Sequence, residues 1–93
     1  MKKHIDIRVK GYLQRAGIRF KTMEAAYRFG VTGRVRYLKD YSLLIEAEGD
    51  VEELERFVNW CKKGPVGTKV DEVTIEEAEL KNYPNFDIIS GLH

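Results

Sequence analysis

The chain has 93 residues, 43% of them hydrophobic and 33% charged, the composition of one globular domain over 1–93 and not of a disordered or fibrous chain. Sixteen lysines and arginines against fifteen aspartates and glutamates leave a net charge of +1, which excludes a general attraction to nucleic acid or an anionic membrane and makes any anion site a local feature. No apolar run approaches the roughly 20 residues of a membrane span, and "MKKHIDIRVK" offers no apolar stretch for a signal peptide, so a cytoplasmic location without a membrane partner is expected.

Ile5, Ile7, Val9, Gly11 and Leu13 alternate with His4, Asp6, Arg8, Lys10 and Tyr12, the period of two that marks a strand with one buried face. A short basic loop follows, with Arg15 and Arg19 on either side of Gly17. Phe20, Met23, Ala26 and Tyr27 then recur at three- and four-residue spacing up to Gly30, which predicts a helix over about 20–29 ending on a residue without a Cβ. "VTGRVRYL" and "SLLIEAEG" are two extended segments joined by "KDY", short enough for a hairpin.

Asp50 is placed to cap a second helix, with Glu53 three residues on and Val51, Leu54, Phe57, Val58 and Cys61 on one face. Gly64 and Pro65 end it. Cys61, the single cysteine, reads as a small packed hydrophobe and not a nucleophile. Val70, Val73 and Ile75 predict a fourth strand whose alternation breaks once, the acids of "DEVTIEEAE" a solvated face, and Phe86 with Ile88 a short final strand. The order is an α+β, ferredoxin-like βαββαβ sandwich: two helices on one face of an antiparallel sheet, with a short extra C-terminal strand.

A glycine at a strand-to-helix turn lets several N–H groups converge, and the helix N-terminus adds partial positive charge, so the basic loop is shaped for an anion. On the local pattern alone Arg19 is either a two-pronged anion ligand or a solvent-facing residue of the helix start, and Arg15 reads as a plain surface charge. His4 and His93 lie at opposite ends of the chain without ligand-like spacing, so no metal site is expected. Ser42 and Ser90 have no nucleophile motif around them.

"VKGYLQRAGIRF" resembles the acylphosphatase signature V-x-G-x-V-Q-G-V-G-F-R, with Val9, Gly11, Gln14, Gly17 and Arg19 in matching places and Leu13 and Ile18 as apolar replacements. "AAYRFGVTGRVRYLKDYSLLIEAEG" is similar to the family's next stretch at Ala26, Gly30, Gly33, Val35, Arg36, Asp40, Glu48 and Gly49, and "GPVGTKVDEV" and "FDI" resemble its closing motifs. The resemblance covers roughly residues 5 to 89. It implies the same βαββαβ fold and metal-independent hydrolysis of acyl phosphates with no cofactor. It also implies that Arg19 binds the phosphate and that the loop Arg15, Ala16, Gly17 and Ile18 turns its amides to it. The small-molecule partner it implies is an acyl phosphate or phosphate anion; oligomeric state is left open.

The family's water-holding asparagine falls on Tyr37. A phenol cannot offer both an amide donor and a carbonyl acceptor there, so the expected activity is weak or lost, and a non-catalytic phosphate-binding module is the alternative. Arg15, Arg34 and Tyr41 also replace the family's residues, and Arg15, Arg34, Arg36, Lys10 and Lys39 form either a positive rim to the site or a solvated surface. The βαββαβ order is shared with the RRM, but the third strand, "SLLIEAE", has no stacking aromatic and carries two acids, against RNA as partner.

Overall fold

The computed structural model describes residues 1–14 and 17–93. Five strands and two helices follow in the order β1 (Lys2–Tyr12), α1 (Ile18–Phe29), β2 (Thr32–Tyr37), β3 (Leu43–Asp50), α2 (Val51–Lys63), β4 (Lys69–Ala78) and β5 (Phe86–Leu92). The sheet order is β4-β1-β3-β2-β5. β1, β2, β3 and β4 are antiparallel to their neighbours, as expected, whereas β5 runs parallel to β2 and makes the sheet mixed. The reason is the connection: after β4 at one edge the chain crosses the sheet and returns along the other edge, where a parallel direction is the one available.

Alternation on β1 and β3 divides the sheet into two faces. Ile7, Val9, Leu43, Ile45 and Ala47 turn to the helices and meet Leu54, Phe57, Val58 and Cys61 of α2 in a buried core. Phe57 anchors it, edge-on to Phe86 at 6.1 Å and stacked with Trp60 at 6.2 Å. α2 begins with the capping box the sequence predicts, the Glu53 carboxylate accepting from the Asp50 N–H at 3.0 Å, and ends at Gly64. Burial pushes the Cys61 thiol up to about 12, which leaves it an inert packed group. β4 carries the expected break: Lys10 pairs with Glu72 and Gly11 with Val70, so Asp71 is the bulged residue.

α1 begins two residues before the expected start, and its buried face is Ile18, Thr22, Ala25 and Ala26. Phe20 and Tyr27, expected on that face, are 53% and 58% exposed. Ala26 belongs to both possible stripes, and the smaller side chains win because they allow the helix to approach the sheet closely.

The other sheet face is not open to solvent throughout. Residues 79–85 form a strap over β3: the Lys81 and Tyr83 N–H groups donate to Glu48 at 2.6 and 3.1 Å, and Lys81 Nζ and the Tyr83 hydroxyl donate to Glu46 at 3.1 and 2.7 Å. The Asn85 carbonyl then accepts from Gly33 N–H at 2.9 Å and delivers the chain into β5.

Candidate anion-binding site

Gly17 stands at the N-cap of α1 with φ +88°, a left-handed conformation in which a Cβ would meet open space, so the glycine is demanded by the backbone angle and not by crowding. The Lys21 N–H closes the first helical hydrogen bond to the Gly17 carbonyl at 2.8 Å. The N–H groups of the turn before it, at Ile18, Arg19 and Phe20, are those an α-helix leaves without an intrahelical acceptor. A depression of about 320 Å³ opens at this point, lined by Gln14, Gly17, Ile18, Arg19, Phe20, Tyr37 and Ile88. Four elements contribute to it: the segment just after β1, the start of α1, and the neighbouring strands β2 and β5.

Arg19 is half-buried. Its guanidinium carbon lies 5.0 Å from the centroid of the Tyr37 ring, and Nη1 donates to the Ile89 carbonyl at 3.2 Å. Among the described residues its polar partner is thus a neutral carbonyl and not a carboxylate, which leaves the positive charge uncompensated at the depression. Tyr37 ends β2 under this guanidinium, and its hydroxyl donates to the Leu13 carbonyl at 2.8 Å. Burial pushes the phenol up from its ordinary value while the Arg19 charge works the other way, and the net is a raised pKa and a neutral hydroxyl at physiological pH. The C-terminal strand closes the same side, the His93 N–H donating to the Tyr37 carbonyl at 3.0 Å.

Of the expected site residues, Gly17, Ile18, Arg19 and Tyr37 line one depression. Arg15 and Ala16 lie outside the described residues. Of the two readings of the basic cluster, the positive rim does not form from Arg34 and Arg36. Strand alternation turns them away from Tyr37 to the opposite sheet face, where Arg34 Nε and Arg36 Nη2 donate to Glu46 at 2.8 and 2.7 Å. Lys10 shares that face by its parity with His4 and Asp6 on β1.

Sequence reasoning missed the polar network of that second face. His4 is 1% exposed, its Nδ1 2.7 Å from Glu48 Oε2 and its Nε2 2.8 Å from Asp6 Oδ1. Ligand atoms of His4, Asp6 and Glu46 lie within 4.8 Å of one another, the spacing of a metal site. Both ring nitrogens face carboxylates, however, and Glu46 accepts from Arg34, Arg36, Lys81 and Tyr83, so the cluster works as an ion-pair network. Burial acts to raise the Glu46 carboxyl, but hydrogen bonds from Tyr83, Arg34 and Lys81 outweigh it and hold it down at about 2. The one signal in the sequence is "IEAE": two acids at alternate positions of an otherwise apolar strand call for cationic partners on the same face.

The family model described as Acylphosphatase matches residues 5–88. An acylphosphatase of Thermotoga petrophila is 41% identical over 86 residues, covering 92% of this chain and 96% of that protein. One of Syntrophobacter fumaroxidans is 33% identical over 91 residues, covering 97% and 94%. Among solved structures, the acylphosphatase from Bacillus subtilis superposes with a TM-score of 0.90 at 28% identity, over 97% of this chain and all of that one. Full-length HypF in its phosphate- and nucleotide-bound form matches with a TM-score of 0.86 at 27% identity, 97% of this chain falling on 12% of that chain.

Proposed function

We propose, since the chain belongs to the acylphosphatase family, that it holds the phosphoryl group of an acyl phosphate at the 15–19 loop and hydrolyses the carboxyl–phosphate bond slowly. The observation that carries this reading is the Arg19 guanidinium, fixed by the Tyr37 ring and the Ile89 carbonyl, with its charge unspent at the N-terminus of α1. In this reading Arg19 makes the two-pronged contact to phosphoryl oxygens, and the amides of Arg15, Ala16, Gly17 and Ile18 supply further donors. Water attacks phosphorus, the bond from phosphorus to the carboxylate oxygen breaks, and carboxylate and phosphate leave. The leaving group is already good, so the protein's part is to position and to stabilise charge on the phosphoryl oxygens.

Tyr37 limits the rate in this scheme. Its hydroxyl is engaged by Leu13 and its ring lies beneath Arg19, so no side-chain amide orients the water at this position. Loss of one such preorganised group costs roughly a hundredfold to a thousandfold. That same engagement favours a second reading, a module that binds the phosphate anion without turnover. RNA is disfavoured by the acidic network and strap over the sheet face that an RRM leaves for bases.

Steady-state hydrolysis of benzoyl phosphate by the wild type, Arg19→Ala and Tyr37→Asn tests the proposal, with circular dichroism confirming that each variant folds. Slow wild-type turnover, abolished in Arg19→Ala and raised in Tyr37→Asn, is the expected result. An inert wild type that gains activity as Tyr37→Asn establishes the binding module. Should inorganic phosphate also fail to shift the amide resonances of residues 17–19, both readings fall.

A further inference from the structure

The depression around Arg19 has two chemically different kinds of lining. Gln14, Gly17 and Arg19 bring donors and positive charge to its lining; Phe20, Ile88 and the edge of the Tyr37 ring, whose face carries the Arg19 guanidinium, bring apolar surface. A lone phosphate uses only the first kind. At about 320 Å³ the depression reaches the lower end of small-molecule sites, roughly 300–1,000 Å³, and offers more room than one phosphoryl group fills.

Phe20 is one of the large apolar residues that the fold leaves exposed. α1 buries Ile18, Thr22, Ala25 and Ala26 against the sheet, and Phe20 lies off that stripe, 53% exposed, on the turn whose N–H groups open toward the anion. An isolated exposed phenylalanine needs no explanation. This one borders the charged group of the site and faces the same depression as half-buried Ile88, which reaches it from β5 on a different edge of the fold. Two apolar side chains from separate elements, lining the same depression as the Arg19 guanidinium, form a surface for the rest of a phosphorylated molecule.

We propose that Phe20 and Ile88, beside the Arg19–Tyr37 pair, hold the acyl group of the bound acyl phosphate, and that this group is aromatic or comparably broad and apolar. The proposal rests on the anion reading of Arg19 and adds to it the class of the substrate. An aryl group edge-on or offset to Phe20 gains the attraction of aromatic pairs, and a methyl group at the same place leaves most of the surface wet. Phe20 acts on specificity and takes no part in bond breaking.

The test uses inorganic phosphate, methyl phosphate and phenyl phosphate as probes, titrated by calorimetry or amide shifts into the wild type, Phe20→Ala, Phe20→Trp and Arg19→Ala. Phenyl phosphate is expected to bind the wild type roughly two- to tenfold more tightly than methyl phosphate, the range of one aromatic contact. That ratio is expected to fall to near one in Phe20→Ala and to return in Phe20→Trp, a recovery that a merely structural role for Phe20 would not produce. Equal affinities for the two esters in the wild type, or an undiminished ratio in Phe20→Ala, overturn the proposal. Arg19→Ala is expected to weaken all three probes. Should it leave inorganic phosphate binding as it was, the anion reading itself falls and takes this one with it.

Discussion

A single hydroxyl ties the site to the sheet. The Tyr37 phenol donates to the Leu13 carbonyl at 2.8 Å, and this joins the end of β2 to the residue just after β1. Tyr37→Phe keeps the ring beneath Arg19 and removes that donor from the Leu13 carbonyl. A loss of about 1 kcal/mol is expected in chemical denaturation, with phosphate affinity retained because the guanidinium keeps its aromatic support; a stability equal to that of the wild type would mean water replaces the phenol fully. Tyr37→Asn removes the ring as well, so its larger loss of stability, on the order of a few kcal/mol, accompanies any gain in turnover. The position of Tyr37 in the motif is legible in the sequence, since it stands four residues after Gly33 in an ungapped match. Its direction is not, because whether a strand's last residue points at the helices or at solvent depends on pairing with β3 and β5, partners at distant places in the chain.

At the level of elements, what repeats locally was legible and what depends on partners was not. The strand alternation, the capping box at Asp50 and the bulge in β4 are signals within about ten residues, and all three are present. The buried stripe of α1 differs by one set of positions from the one the spacing predicts, since a helix bearing Phe20, Met23 and Tyr27 beside Ile18, Ala25 and Ala26 has two candidate faces, and close packing on the sheet selects the small one. The β2–β3 hairpin carries a local strain of its own. Tyr41 has φ +66°, the left-handed region, while the turn is closed by Tyr41 N–H to the Leu38 carbonyl at 2.9 Å and by Asp40, whose Oδ1 accepts from the Ser42 N–H at 3.0 Å. A residue with a Cβ pays roughly 1–2 kcal/mol there, partly offset in a glycine by its greater freedom when unfolded. Tyr41→Gly is therefore expected to stabilise the protein by about 0.5–1 kcal/mol in urea denaturation, and a loss of stability would show that the half-exposed ring contributes more through packing than its backbone costs.

Across the whole molecule, the strap of residues 79–85 over β3 ties one sheet edge to the other through groups that titrate, and this sets the pH range in which the fold is most stable. A neutral imidazole donates from one nitrogen only, yet both nitrogens of His4 face carboxylate oxygens, of Glu48 and Asp6, so the buried ring is the imidazolium. Burial acts to lower its pKa, but the hydrogen bonds to Glu48 and Asp6 outweigh burial and raise it above 6.5. A raised folded pKa gives stability that is fully present below 6.5 and lost as pH climbs through the folded value. On the acid side Glu46 is held at about 2 and Glu48 is lowered by the Lys81 and Tyr83 N–H groups and His4 against the effect of burial, so their stabilisation is present above 4.5 and lost as pH falls. For Glu46, the span from 4.5 to about 2 corresponds to roughly 3 kcal/mol. Maximum stability is thus expected between about pH 4.5 and 6.5, in the window those two limits define. The alkaline limb belongs to His4: in urea denaturation the wild type is expected to weaken between pH 5.5 and 9, and His4→Gln, already less stable at pH 5.5, is expected to weaken much less over the same interval. Groups elsewhere that titrate in this range do so in both proteins, so the difference isolates the imidazole, and an equal alkaline loss in both would show that His4 is not the charged centre of the network.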